Sequence, residues 1–99
     1  MKTPRLNEQQ IRTALDQGRD WKLNAQGEIT RTFAFTTFPQ SLLFTNTVGF
    51  LAEAANHHPD ILIQWNKVTL TLSTHDSDGL THKDFELAGQ IDSLSGLRK

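Results

Sequence analysis

Three of the four histidines in this 99-residue chain, His57, His58 and His75, fall where elements of structure end. Imidazole has an unperturbed pKa of about 6.5, so it gives or takes a proton near neutral pH, and side chains at element ends are held by scaffold while facing a cleft. Together the three suit a reaction that moves protons in both directions, although each alone also reads as an ordinary surface residue. A metal site is the next competitor, because histidine is a common zinc ligand and acidic residues lie nearby. Against it, adjacent His57 and His58 point apart in a regular element, whereas metal-binding pairs share a face. Pro59 forces His58 toward an extended conformation. The pair is therefore expected to straddle a helix end, His57 continuing the helix's polar side and His58 turned toward whatever the next strand borders.

Acidic and aromatic neighbours each admit two readings. Glu53, four residues before His57, pairs with it if helix persists that far, or else belongs to a solvated helix face. Asp84 falls three residues after a capping threonine yet projects onto an apolar stripe, so it either caps the helix or needs an interior partner. Trp65 is a core or interface aromatic, or a platform for a ligand. His82, in the first turn of the last helix with nothing gathered around it, reads as surface.

The elements that must carry these residues follow from periodicity. Asn7 and Gln10 form a capping box, Ile11, Ala14 and Leu15 recur at helical spacing, and Gly18 is expected to close that helix in a left-handed conformation. Trp21 and Leu23, a turn at Ala25-Gln26-Gly27-Glu28, and alternating Ile29, Arg31, Phe33 and Phe35 predict a hairpin. From Pro39 to Asn56 the spacing is helical, with Phe44, Val48, Leu51 and Ala55 as the inward stripe, broadened by Leu43, Phe50 and Ala54, and Glu53 opposite. Ile61, Ile63 and Trp65 alternate, Asn66-Lys67 marks a turn, and Val68, Leu70 and Leu72 alternate after it. Thr81 caps a last helix whose apolar face is Leu87, Ala88, Ile91 and Leu94. The order α-β-β-α-β-β-α predicts an α+β fold in a single domain over residues 1–99, a four-stranded antiparallel sheet with its helices on one face.

Composition removes several classes. Lys+Arg 10 against Asp+Glu 11 gives no electrostatic pull toward nucleic acid or anionic membrane. No stretch approaches the roughly 18 apolar residues of a membrane span, and Met1-Lys2-Thr3-Pro4-Arg5 lacks the apolar segment of a secretory signal, so a cytoplasmic location is expected. The absence of cysteine excludes thiolate catalysis and disulfides and agrees with a reducing compartment. Phosphate loops, nucleophile elbows and basic-aromatic stripes are missing. With 36% hydrophobic residues the core is modest, so association with copies of itself is expected.

Read together, Glu53-Ala-Ala-Asn-His57-His58-Pro59, then Trp65-Asn66-Lys67-Val68, Ser73-Thr74-His75-Asp76, Gly79-Leu80-Thr81 and Asp84 resemble the pterin-4a-carbinolamine dehydratase family. That family's pattern has an acid four residues before His-His-Pro, an aromatic six after the proline, a histidine ten further on and then an aspartate. The resemblance extends upstream through Trp21, Phe33, Phe35, Phe38 and Phe44. Trp65 stands where tyrosine is common, and Ser77-Asp78 replaces smaller residues, which bears on the rim of the pocket. The resemblance implies a homodimer or homotetramer that needs no cofactor or metal and dehydrates 4a-hydroxytetrahydropterin to quinonoid dihydropterin in pterin recycling. It implies catalytic roles for His57, His58 and His75, with Glu53, Asp84, Pro59, Trp65, Ser73 and Thr74 binding or orienting. The competing expectation is a non-enzymatic dimerisation or assembly factor on the same fold.

Overall fold

Each of the three helices starts at a capping box. Asn7 with Gln10 opens α1 (Glu8–Gln17), Thr37 with Gln40 opens α2 (Phe38–Ala55), and Thr81 with Asp84 opens α3 (His82–Asp92). In each, side chain and backbone satisfy one another's otherwise unpaired groups, so local sequence sets where the helix begins. The computed structural model describes residues 2–18 and 20–94. Between the helices lie β1 (Lys22–Leu23), β2 (Ile29–Ala34), β3 (Asp60–Gln64) and β4 (Lys67–Leu72), and a 3₁₀ turn, His75–Ser77, precedes α3. No helix among these residues is long and apolar enough to cross a membrane.

The strands form one antiparallel sheet in the order β1-β2-β4-β3, so the expected α+β architecture is present. Period-two alternation divides its faces. Ile29, Phe33, Val68, Leu70 and Leu72 are buried beneath α2 and α3, where they meet Phe44, Val48, Ala52, Leu87, Ala88 and Ile91. The opposite face carries paired threonines, with Thr32 and Thr69 hydroxyls 2.9 Å apart and Thr30 and Thr71 hydroxyls 3.3 Å apart. Phe44 anchors the core, its ring 4.7 Å from Phe33 and 5.1 Å from Phe35. Arg31 shares the inward alternation by lying over the Phe33 ring and pairing with Asp92 at 2.7 Å and Asp20 at 3.3 Å. The same Asp92 accepts the Trp21 indole N–H, tying the end of α3 to the sheet.

Three local expectations are corrected. The inward stripe of α2 is Ser41, Phe44, Val48 and Ala52; Leu51 is partly buried, and Leu43, Phe50, Ala54 and Ala55 are exposed. The helix bears no charge before Glu53, so its hydrophobicity is nearly even all round and periodicity could not choose the buried side. The second hairpin turns at Trp65-Asn66, because Gln64 and Lys67 close the ladder, and Trp65 takes φ 51. Gly18 has φ −97 and closes α1 through its N–H to the Ala14 carbonyl without entering the left-handed region.

Phe44→Ala is expected to cost about 3–5 kcal/mol of stability, the usual range for emptying a buried phenylalanine site, read as a lower denaturant midpoint with unchanged slope.

Candidate active site

The end of α2 is what separates the two neighbouring histidines. Asn56 adopts φ 50, its N–H bonding to the Glu53 carbonyl, and the His57 N–H reaches back to the Ala52 carbonyl at 3.0 Å. This is the paired bonding of a Schellman cap, with asparagine in the left-handed position more often filled by glycine. The chain turns sharply there. His57 swings under the sheet end to place Nε2 2.6 Å from Asp84 Oδ1, while His58 stays outside with Nε2 2.9 Å from Glu53 Oε1. Glu53 therefore serves His58, not the His57 that helical spacing predicted, because the left-handed residue ends the helical geometry one position early.

Asp84 both caps and pairs. It has no exposed surface, and its Oδ2 accepts the Thr81 backbone N–H at 3.0 Å and the Thr74 hydroxyl at 2.8 Å. Because the Thr74 hydrogen is committed to Asp84, the 2.8 Å contact between Thr74 and Thr81 hydroxyls runs from Thr81 to Thr74, and Thr81 accepts from the Lys83 N–H. Among the described residues no buried side-chain N or O lacks a partner. With Oδ2 occupied by two donors, a carboxylate at 84 takes its third hydrogen bond from His57 Nε2–H. That fixes the ring and leaves Nδ1 without a protein partner among the described residues.

Register explains the convergence. Asp60 pairs with Thr71 where the antiparallel β3–β4 ladder ends, so the segment entering β3 from His58 and the segment leaving β4 toward Ser73 emerge side by side. His75 follows directly on the exposed 3₁₀ turn, making no side-chain hydrogen bond among the described residues. It lines a hollow of about 190 Å³ with Gln26, Gly27, Glu28, Ser73, Asp78 and Gly79. Neither His57 nor His58 lines that hollow. Pro59 is the partly buried link from His58 into β3. Trp65 is 69% exposed just past the far end of β3, six residues and about 20 Å of extended chain from Pro59 at the usual rise, so one chain does not bring it to the histidines.

The site thus joins His57, Thr74 and Asp84 directly, sets Ser73 and His75 beside them, and leaves Glu53 with His58 on the outer edge. The Thr81 hydroxyl and the turn Gln26-Gly27-Glu28 belong to it as well. Thr81 was visible as a cap, but its bond to Thr74 depends on tertiary packing, and nothing in the turn's composition pointed to a site. Among the described residues no group of three His, Asp or Glu side chains could hold a metal ion. His82 sits apart, paired with Glu86 on the surface of α3.

Residues 4–94 match the family model described as pterin 4 alpha carbinolamine dehydratase. A Chloroflexus aurantiacus protein provisionally named a pterin-4-alpha-carbinolamine dehydratase is 53% identical over 93 residues, covering 94% of this chain and 99% of that protein. A similarly named Picosynechococcus protein is 47% identical over 91% of this chain and 97% of its own length. The crystal structure of a transcriptional coactivator/pterin dehydratase from Brucella melitensis superposes with a TM-score of 0.87 at 29% identity, covering 96% of this chain and 99% of the other. A pterin dehydratase-like protein identified as a RuBisCO assembly factor in the alpha-carboxysome shares the fold, with a TM-score of 0.67 at 24% identity over 78% of this chain and 90% of its own.

Asp84→Ala is expected to cost about 3–5 kcal/mol, since it strips partners from a buried network, and denaturant titration reads it. Asp84→Asn keeps the shape but turns a donor toward His57, so the ring proton should move from Nε2 to Nδ1, visible in the ¹⁵N shifts of that imidazole.

Proposed function

The chain belongs to the pterin-4a-carbinolamine dehydratase family, and from that premise we propose that it removes water from a 4a-hydroxytetrahydropterin to give the quinonoid dihydropterin, by histidine acid/base catalysis, in recycling of the pterin cofactor. In this reaction the C–O bond at the carbinolamine carbon breaks and the adjacent ring nitrogen loses its proton. A C=N bond forms, and the hydroxyl leaves as water after receiving a proton. One group must give a proton and another must take one, and each such positioned group typically contributes about 10² to 10⁴ in rate.

The observation that carries this reading is the single carboxylate of Asp84, which holds both His57 and Thr74 and so ties the His57-His58 segment to the one bearing His75. Of the three clustered histidines, His58 and His75 are the exposed ones and exchange protons with substrate. His57 is fixed by Asp84 and bears on the substrate through Nδ1, while Glu53 orients His58. The hollow that His75 lines, about 190 Å³, is smaller than the roughly 300 Å³ at which enclosed ligand sites begin, so on this reading it takes only part of the pterin and the rest extends beyond it toward His57 and His58.

We also propose a homodimer or homotetramer. Leu42, Leu43 and Phe50, the last 79% exposed, form an uncharged outer face on α2, and the edge strand β3 exposes Ile61 and Leu62. An unpaired edge carrying apolar side chains and an apolar helix face are surfaces that a second copy covers.

Turnover of 4a-hydroxytetrahydropterin is expected in the purified protein and is expected to survive chelator. His58→Ala and His75→Ala should each slow it by about 10² to 10⁴ with the fold intact, and the pair should nearly abolish it. A well-folded chain without turnover would favour the assembly-factor reading. Phe50→Glu should lower the assembly state in light scattering while leaving the far-ultraviolet dichroism of the fold.

A further inference from the structure

His75 hangs on a loop gripped from inside the molecule only at its two ends, by Thr74 and by the buried Leu80. Thr74 is held by Asp84, and its backbone closes the loop against Gly79 through N–H to carbonyl bonds of 3.0 and 3.4 Å in the two directions. Within it, Ser77 N–H reaches the Thr74 carbonyl and Asp78 N–H the His75 carbonyl, while Asp78 takes φ 54. A lone loop of this kind, bearing an exposed histidine and a left-handed aspartate, would open readily. Its outer half is instead clasped by the segment that precedes α1. Leu6 N–H bonds the Leu80 carbonyl at 2.8 Å, the Ser77 hydroxyl donates to the Thr3 carbonyl, and the Arg5 guanidinium donates to the Asp78 carbonyl at 3.2 Å. Thr3 precedes Pro4 and is biased to the extended form, so the clasp is preorganised.

Gly79 is where the clasp fits. A Cβ there would stand 2.6 Å from Arg5 Cδ and 3.0 Å from Arg5 Cγ, so the arginine stem lies across a position open only because the residue is glycine. Gly79 has no left-handed φ, which leaves close approach, and not backbone freedom, as what the glycine provides. Gly79 also borders the hollow that His75 lines.

We propose that the segment Thr3–Leu6, and Arg5 above all, positions His75 by clamping residues 77–80 of its loop. Its consequence for turnover rests on the dehydratase reading; its consequence for the loop does not. Arg5→Ala should lower backbone order parameters at 75–79 from the rigid value of about 0.85 toward about 0.6 or below in ¹⁵N relaxation, with the rest of the fold unchanged. It should also cut kcat about tenfold with KM little altered, since displacement of a catalytic group by about 1 Å can cost about 100-fold. Arg5→Lys, which keeps the stem over Gly79 and one donor, should restore most of both. Gly79→Ala should reproduce Arg5→Ala, and the double variant should be no worse than either single one, the coupling expected of groups in contact. Order parameters at 75–79 that stay rigid in Arg5→Ala overturn the proposal, as does additivity of the two substitutions. Should the loop loosen in a protein whose unaltered form has no dehydratase turnover, the clamp stands and the dehydratase reading falls.

Discussion

A carboxylate cannot sit among apolar side chains unless donors are brought to it, because its bare burial costs several kcal/mol. Asp84 has no exposed surface, and three donors reach it from three places: the start of its own helix, the end of β4 and the turn after α2. Withdrawing any one of them leaves the buried carboxylate short of a hydrogen bond, and withdrawing His57 leaves Oδ1 with none. The carboxylate therefore acts as a geometric constraint on the whole histidine end of the sheet. The other end of α3 is held by a second, partly exposed set of charges, in which Asp92 takes both Arg31 and the Trp21 indole. Fixed at both ends, α3 keeps Asp84 in register with the sheet, which is how packing far from the histidines bears on their placement.

Much of this was legible in the sequence because it is local or periodic. Two capping boxes, both hairpins, the inward faces of β2 and β4, and the helix order follow from spacing that depends on neighbours a few residues away. What spacing could not resolve was orientation where the signal is isotropic. α2 carries apolar residues on every side, so the choice of Ser41, Phe44, Val48 and Ala52 as its buried stripe is made by the sheet it meets. Trp65 continues an apolar alternation that extends the strand on spacing alone, but a two-residue connection fixes the turn one position earlier.

The candidate site was legible as a set of residues and not as a set of partnerships. His57, His58, His75, Glu53 and Asp84 stand out by type and spacing, yet who binds whom turns on one backbone angle. Had Asn56 stayed helical, Glu53 would face His57 at the i,i+4 separation; at φ 50 the chain reverses and sends His57 to Asp84 instead. Thr74 and Thr81 are small polar residues of a kind common at strand and helix ends, and only the closed fold shows that their hydroxyls form a directed chain into the carboxylate.

The two histidine–carboxylate pairs of this site share a chemistry and differ in what they are worth. His58 and Glu53 meet at 2.9 Å with side chains 58% and 81% exposed, where water competes for both partners and an ion pair contributes about 0–1 kcal/mol. His57 and Asp84 meet at 2.6 Å with side chains 10% and 0% exposed, where losing either partner strands the other. The inner pair is thereby locked by burial, and the outer one is held only weakly. In the proposed dehydration, a proton donor at His58 would gain from an exposed side chain, whereas a group at His57 that positions the substrate would gain from a buried one. The division of burial between two consecutive residues thus gives this end of the sheet a largely buried imidazole and an exposed one, and it follows from a single left-handed asparagine.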